Sequence, residues 1–282
     1  AEQLRCSLHQ TIKGHTIYPY SGGAQNTWTI LEITQQDPNN ASKMIDVYRN
    51  RSYTAPGDRD GTGSGITYNR EHTWPNSLGF ADSSLAAYTD THMLWLSDKT
   101  QNADRGNKPY AYCASGCTEL TTEANNGFGG GSGTYPGNSN WYKGPDGNTG
   151  SFEVWDHRKG DVARSIFYMA IRYEGIAAEQ AHDGVIPDLE LTDDRSKIVI
   201  TSNTAAKAYM GLLADLLAWN TQDPPDAEEV ARNDVIQSFQ GNRNPFVDHP
   251  EWATRALFES SEPATCQLGN DTIFRNGFEA TP

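Results

Sequence analysis

Basic residues are scarce in this sequence of 282 amino acids: 22 lysines and arginines stand against 36 aspartates and glutamates, a net charge of −14. So acidic a chain does not attract nucleic acid through its overall charge, because contacts with phosphate require lysine and arginine. The net charge does not exclude a locally positive cleft, above all one that binds a metal ion. The 14 arginines against 8 lysines also leave bidentate phosphate contacts available.

Long apolar runs are absent as well, and no stretch approaches the ~18–20 residues that a transmembrane helix requires. Hydrophobic residues make up 36% of the chain, and 9 Phe, 13 Tyr and 7 Trp are present, a composition that argues against disorder. We therefore predict a soluble globular protein, and the length suggests one large domain or two small ones.

Cysteine is limited to positions 6, 113, 117 and 266. The sequence leaves all three pairings open, and we favour Cys6 with Cys266 and Cys113 with Cys117. A zinc site at the C-x₃-C pair is the alternative, but no second close pair of ligands accompanies it. Disulfides, and a chain that starts without an initiator methionine, are typical of exported proteins. We therefore expect a secreted (extracellular) or periplasmic location.

The spacing of apolar residues predicts four helices, over residues 42–53, 161–173, 204–219 and 226–239. The stretch up to about residue 40 is rich in turn-forming residues, with the clearest break at residues 18–23. Residues 126–150 contain nine glycines and two prolines, so we predict a long surface loop there.

Residues 66–107 predict the order strand, loop, strand, helix. The first strand begins at residues 66–68, and Pro75 stops its continuation because proline has no N–H to donate. The second strand covers residues 91–96, and Ser97 or Asp98 can cap a helix that runs through Arg105. Glu71 and His72 are adjacent, so they can serve one site only if the strand bends or ends there. Asn102 and Arg105 are three residues apart and share a face of the helix.

These residue types indicate a particular chemistry. The oxygens of Glu71 and Asn102 are the hard ligands that Mg²⁺ or Ca²⁺ accepts, and the imidazole of His72 stays available as a base. A helix-end cap is the alternative role for Asn102, and Asn107 is then the next candidate ligand.

Four motifs in chain order resemble the bacterial endonuclease I family of His-Me finger (ββα-metal) nucleases. They are YNREHTWP at 68–75; DTHML at 90–94 with NADRGNKP at 102–109; KGDVAR at 159–164 with YM at 168–169; and QGNRNPFVDHP at 240–250. The resemblance implies a helix-rich α+β fold, with a single domain over residues 1–260 built around a ββα-metal finger at residues 66–107 and followed by a tail over residues 261–282. The chain departs from the family at residues 93–96, which read MLWL where Asn-Leu-x-Pro is common. The glycine-rich stretch and the tail also have no counterpart in the pattern.

The resemblance implies a secreted or periplasmic nuclease that hydrolyses DNA and RNA with little sequence preference and leaves 5′-phosphates. It implies His72 as the general base and Glu71 and Asn102 as ligands of one divalent cation. We expect Mg²⁺, with Ca²⁺ or Mn²⁺ as alternatives.

Phosphate contacts complete the predicted site. We predict them from Arg105 and Arg243, with Arg70, Asn107 and Lys108 as further substrate contacts. The alternative for Arg105 and Arg243 is a structural role, buried against carboxylates.

Two rival functions remain open. A metal-independent ribonuclease would use His72 and His92 as base and acid, would cut only RNA and would survive chelation, although His92 fits a bracing role better. A secreted binding protein of the same fold would show no turnover. A zinc protease is not supported, because the sequence has no His-Glu-x-x-His. We expect a monomer with no membrane contact and no protein partner.

Overall fold

A computed structural model of the chain describes residues 1–62, 65 and 67–261. Its helices are α1 (Glu2–Ile12), α2 (Thr27–Thr34), α3 (Ala86–Thr89), α4 (Lys99–Arg105), α5 (Lys159–Arg172), α6 (Gln180–Asp183), α7 (Leu213–Gln222), α8 (Ala227–Gln240), α9 (Pro245–Asp248) and α10 (Arg255–Phe258). Its strands are β1 (Gln36–Asp37), β2 (Asn40–Ile45), β3 (Ser52–Thr54), β4 (Tyr68–His72), β5 (Leu94–Asp98), β6 (Thr118–Thr121), β7 (Ser139–Lys143), β8 (Ser151–Glu153), β9 (Asp188–Leu191) and β10 (Lys207–Met210).

The strands form small separate sheets among the helices. β1, β2 and β3 make one antiparallel sheet, β4 and β5 a second, and β6, β7 and β8 a third, while β9 and β10 pair in parallel. The predicted mixture of helix and sheet is therefore confirmed. Among the described residues, no helix combines the length and apolar character needed to cross a bilayer.

Helix α5 lies at the centre of the molecule, and all of its residues are buried. It packs against α1, α7, α9 and β9. Its two buried arginines are stabilised by ion pairs, Arg164 with Glu229 and Arg172 with Asp183 at 2.7 Å, since an unpaired buried charge is costly. The predicted helix over residues 161–173 is confirmed, with a start two residues earlier.

The predicted helix over residues 42–53 is wrong. These residues form β2, a turn and β3. The buried carboxylate of Asp46 accepts hydrogen bonds from the backbone N–H groups of Tyr48, Arg49 and Arg51 at 3.1, 2.8 and 2.9 Å. A side chain that satisfies the backbone in this way stabilises a turn instead of a helix.

One further predicted helix needs correction, and two helices near the N-terminus were not predicted. The helix predicted over residues 204–219 is divided: β10 pairs with β9, and α7 begins only at Leu213. The N-terminal 40 residues contain α1 and α2, and Asn26 starts α2 with a capping box that Thr29 completes. By contrast, α8 matches the predicted helix over residues 226–239, with the Asp226 side chain accepting from the N–H of Glu229.

The glycine-rich stretch over residues 126–150 is only partly a loop. Its residues Ser139–Lys143 form β7, the central strand of the third sheet. Trp141 pairs with both Glu119 and Glu153, so nonlocal pairing holds this segment in the fold.

Cys113 and Cys117 form a disulfide, as predicted, which removes the zinc alternative. Cys266, the predicted partner of Cys6, lies outside the described residues, as does the tail beyond residue 261.

Candidate active site

The candidate site lies where β4 ends. β4 and β5 are antiparallel neighbours, with Glu71 opposite Trp95 and His72 opposite Leu94. Helix α4 follows β5 directly, because the Asp98 carboxylate caps it by accepting from the N–H groups of its first turn at 2.9 Å. This is the predicted order of strand, strand and helix, although β4 runs on to His72 and β5 begins later than expected. Residue 66, the predicted first position, lies outside the described part of the chain.

Helix α4 contacts β4 through one face, as the spacing of Asn102 and Arg105 predicts. The amide nitrogen of Asn102 donates to Asn69 Oδ1 at 2.8 Å, and Arg105 Nη1 lies 2.9 Å from Glu71 Oε1. Asn69 and Glu71 are two residues apart on the strand and therefore point to the same face. Asn102 lies inside the helix and not at its end, so the alternative of a helix-end cap is wrong.

Glu71 is a buried carboxylate with only 2% of its surface exposed. Its Oε1 accepts hydrogen bonds from the hydroxyls of Tyr48 at 2.8 Å and Tyr110 at 3.4 Å, besides the Arg105 contact. Burial raises the pKa of Glu71, and the Arg105 charge and the two hydroxyls oppose that rise. The carboxylate is therefore oriented through one of its two oxygens.

His72 is held as a neutral imidazole. Its Nε2 lies 3.0 Å from the carbonyl oxygen of Tyr88. A carbonyl only accepts, so Nε2 carries the proton and Nδ1 has the lone pair. Burial lowers the pKa of His72 to about 3, since an imidazolium would be poorly solvated there. The rings of Tyr88 and Tyr20 pack on the imidazole at 4.5 and 5.9 Å and fix its plane.

Arg105 is placed differently from the prediction of a phosphate contact. Only 1% of it is exposed. Its Nη1 donates to the carbonyl oxygen of His72 at 2.9 Å and its Nη2 to that of Thr73 at 2.6 Å. Together with the Glu71 contact, these bonds fit the structural alternative, in which Arg105 holds the end of β4 in place.

Arg243 also fits the structural alternative. Its guanidinium binds Asp248 through two bonds of 2.8 and 2.6 Å and binds Asp234 at 2.5 Å. These partners belong to α8 and α9, so these bonds connect Arg243 with neither β4 nor α4.

The other predicted substrate residues are mostly engaged with protein. Arg70 lies between the rings of Tyr20 and Trp28, with its guanidinium carbon 3.3 and 4.0 Å from the ring centroids. Lys108 is 5% exposed and donates to the Asp104 carbonyl and the Asp146 carboxylate. Asn107 is partly exposed, just after the end of α4.

His92 lies in a buried polar network. It is 3% exposed, and its Nε2 lies 3.1 Å from the carbonyl oxygen of Asn242. Its backbone N–H donates to Asp90. Burial lowers the pKa of His92 to about 4. These contacts agree with the bracing role predicted for this residue.

Four tyrosines of the site were not predicted from the sequence: Tyr20, Tyr48, Tyr88 and Tyr110. Tyr48 lies in the segment that was predicted to be a helix over residues 42–53, and its hydroxyl reaches Glu71. No local pattern marks such residues, because their partners lie in other elements of the fold.

A buried carboxylate, an amide and a neutral histidine with an available lone pair form a constellation suited to a hydrolase. The family model described as Endonuclease I matches residues 1–251. A protein named extracellular ribonuclease from Bacillus subtilis strain 168 is 39% identical over 253 residues, which cover 89% of this chain and 73% of the relative. A protein of the same name from Bacillus amyloliquefaciens is 39% identical over 252 residues, covering 89% and 72%.

These matches extend over most of the chain and place it among the phosphodiester-cleaving nucleases. The chain belongs to the Endonuclease I family. The family that the four motifs predicted is therefore confirmed.

Proposed function

We propose that the protein is an extracellular endonuclease that hydrolyses both RNA and DNA, with His72 as general base and one divalent cation bound by Glu71 and Asn102. The observation that supports this most is the bond between His72 Nε2 and the Tyr88 carbonyl, because it leaves Nδ1 as the basic atom. Secretion and an RNA substrate are supported by the two Bacillus relatives, both of which are named extracellular ribonucleases.

The residues present fit a hard divalent cation. The Asn102 nitrogen donates to Asn69, which leaves the amide oxygen as the ligand atom. Glu71 receives its protein contacts at Oε1, which leaves Oε2. An amide and a carboxylate oxygen suit Mg²⁺, our first choice, and also Ca²⁺ or Mn²⁺. When bound, the cation would stabilise negative charge that develops on the phosphate.

His72 performs the proton transfer in this proposal. Nδ1 takes a proton from a water molecule, whose oxygen attacks phosphorus in line with the 3′-oxygen. The bond from phosphorus to the 3′-oxygen breaks, that oxygen takes up a proton from solvent water, and the other product carries a 5′-phosphate. General base catalysis of this kind contributes about 10²–10⁴-fold. The ribose 2′-hydroxyl takes no part, and DNA and RNA are therefore both substrates.

The end of β4 allows Glu71 and His72 to serve one phosphate. The two side chains leave the strand on opposite faces, but the strand ends at His72. β5 covers one edge of β4, whereas at the other edge the backbone of residues 58 and 60 hydrogen-bonds to Tyr68, at the start of the strand. We propose that the scissile phosphate binds at the opposite edge, which both side chains can reach. Arg105 acts there as a positioning residue, through the two carbonyls and Glu71.

In the rival mechanism of a metal-independent ribonuclease, the acid proposed from the sequence is His92. This mechanism would need His92 close to the substrate, but His92 is buried and bound to the backbone of Asn242. It would also give Glu71 and Asn102 no role.

The test is digestion of single-stranded RNA and duplex DNA with Mg²⁺ and with excess EDTA, followed by analysis of the product ends. His249→Ala provides a control for His72→Ala, since His249 is partly exposed and contacts Glu251. We expect both substrates to be cut to 5′-phosphates, with activity lost in EDTA and in His72→Ala but not in His249→Ala. Cleavage of RNA alone that survives EDTA and leaves cyclic phosphates would show that the rival mechanism is correct.

A further inference from the structure

We propose a second cation site, formed by His157, Asp226 and Glu228 and suited to Zn²⁺. These residues are separate from the proposed catalytic set. His157 lies in a 3₁₀ turn (Asp156–Arg158) just before α5, whereas Asp226 and Glu228 lie at the start of α8.

The three side chains converge on one point. Each offers one ligand atom, and all three atoms lie within 4.8 Å of one another. His157 Nε2 and Asp226 Oδ2 are 3.7 Å apart, too far for a hydrogen bond but close to the spacing of two ligands on one ion. If a Zn²⁺ ion binds between the three ligand atoms, each atom has to move by less than about 1 Å to reach the ~2.0–2.2 Å distance between zinc and its nitrogen or oxygen ligands.

His157 points a buried nitrogen at this position. Among the described residues, its Nε2 has no hydrogen-bond partner. The ring is fixed by Phe128, which stacks on it with centroids 3.9 Å apart and planes 7° apart, and by Trp155 at 5.4 Å. A buried polar atom without a partner is destabilising, and a bound cation would satisfy it.

The two carboxylates are also positioned. Asp226 Oδ1 accepts the capping bond from the N–H of Glu229 at 2.9 Å, so its Oδ2 is the atom directed at His157. Glu228 Oε2 lies 3.1 Å from Arg158 Nη2. Arg158 also binds Asp161 at 2.8 Å, so it keeps a partner if Glu228 turns to a cation.

Two carboxylates of the site face the guanidinium of Arg158, which interacts with both Asp226 and Glu228. The positive end of α8 adds roughly half a positive charge that opposes a cation. Cation binding there therefore depends on direct ligation by the three side chains.

The ligand types select the metal. One imidazole nitrogen and two carboxylate oxygens suit Zn²⁺, whereas Mg²⁺ prefers oxygen ligands alone. A bound ion would connect the turn before α5 to α8 and, through Phe128, to the glycine-rich segment. We therefore expect it to stabilise the fold, because it binds only the folded state tightly.

The experiment is titration of the full chain with Zn²⁺ by calorimetry in the presence of excess Mg²⁺, with Tm as a second readout. The variants are His157→Gln and Asp226→Asn; asparagine caps helices as well as aspartate does, so the second variant retains the start of α8. His249→Gln is the matched control, because His249 also lies beside a carboxylate, that of Glu251 at 3.1 Å.

We expect one Zn²⁺ per chain and a rise in Tm of several degrees for the wild type, for His249→Gln and for the catalytic-site variant Glu71→Gln. His157→Gln and Asp226→Asn should bind Zn²⁺ at least tenfold more weakly and keep the Mg²⁺-dependent nuclease activity. Equal zinc affinity in His157→Gln and the wild type, or no stoichiometric zinc binding by the wild type, would overturn the proposal. Neither result would bear on the catalytic mechanism, which depends on other residues.

Discussion

The hydroxyl of Tyr48 donates a 2.8 Å hydrogen bond to Oε1 of Glu71, a residue 23 positions later in the sequence. The same hydroxyl lies 2.5 Å from that of Tyr110, and all three side chains are buried. The unit formed by β4, β5 and α4 is therefore not sufficient to orient the Glu71 carboxylate. A tyrosine from the turn after β2 fixes one oxygen of Glu71.

Tyr48→Phe should weaken metal binding. Groups that hydrogen-bond a metal ligand typically change metal affinity by 10–100-fold when they are removed. We expect the Mg²⁺ concentration for half-maximal activity to rise about tenfold, and the free energy of unfolding to fall by about 1–2 kcal/mol. Activity measured against Mg²⁺ concentration, with urea denaturation alongside, provides both values.

Tyr173→Phe is the control for that variant. It removes another buried hydroxyl, which donates to Asp90 at 2.9 Å. A similar loss of stability with an unchanged Mg²⁺ requirement is expected. If both variants raise the Mg²⁺ requirement equally, the effect is one of general destabilisation and the Tyr48 role is wrong.

Arg105→Lys tests whether Arg105 positions the site or binds substrate. Lysine keeps the charge but cannot reproduce the paired bonds to the carbonyls of His72 and Thr73. We expect kcat to fall at least tenfold and Tm to decrease, with KM for a short RNA changed less than threefold. A large rise in KM with kcat retained would show instead that Arg105 contacts the phosphate.

Activity should depend weakly on salt. Arg243 and Lys108 are bound to carboxylates of the protein, and Arg105 is buried against Glu71. These three predicted phosphate contacts are therefore already bound within the protein. Between 50 and 200 mM NaCl we expect KM for single-stranded RNA to rise less than about tenfold, whereas a protein with 6–10 phosphate contacts loses about 10³–10⁵ in affinity. A rise in KM of about 10³-fold or more over this salt range would contradict the binding of these cations within the protein.

The buried histidine His15 should make stability depend on pH. Burial lowers its pKa to about 4, although the nearby Asp90 and Asp183 carboxylates oppose this and Arg172 and His182 reinforce it. The unfolded chain, with a histidine pKa near 6.5, binds more protons between these values, so the His15 contribution is lost as pH falls from about 6.5 to about 4.

The measurement compares wild type with His15→Asn by urea denaturation at several pH values. The difference in unfolding free energy should decrease by up to ~1.4 kcal/mol per unit as pH falls in this window. Taking the difference removes the opposing contributions of buried carboxyl groups with raised pKa, such as Glu174 at about 7. A difference independent of pH would show that His15 does not titrate as described.

Local sequence signals correctly predicted the helices that are determined by residues close together in the sequence. The apolar spacing of α5 and the capping side chains of Asp98 and Asp226 are visible in the sequence and are confirmed. The same signals failed where contacts that do not follow from the spacing of apolar residues determine the structure. Residues 207–210 pair with β9 despite a helical pattern, and Asp46 converts residues 46–51 into a turn.

The candidate site divides in the same way. Glu71, His72 and Asn102 lie in short motifs, and their arrangement follows from one strand and one helix. The burial of Arg105 and the contacts of Tyr48 and Tyr110 depend on segments that come together only in the fold. For that reason the sequence predicts a phosphate contact for Arg105, whereas in the structure Arg105 donates to the carbonyl oxygens of His72 and Thr73 at the end of β4.

The most direct test of the account is the single-turnover cleavage rate of one RNA oligonucleotide at saturating Mg²⁺ by wild type, His72→Ala and His249→Ala. At a temperature well below the Tm of every variant, we predict that His72→Ala is slower by at least about 10²-fold and that His249→Ala cleaves at the wild-type rate. A His72→Ala rate within a few-fold of wild type would contradict the central claim that His72 is the general base.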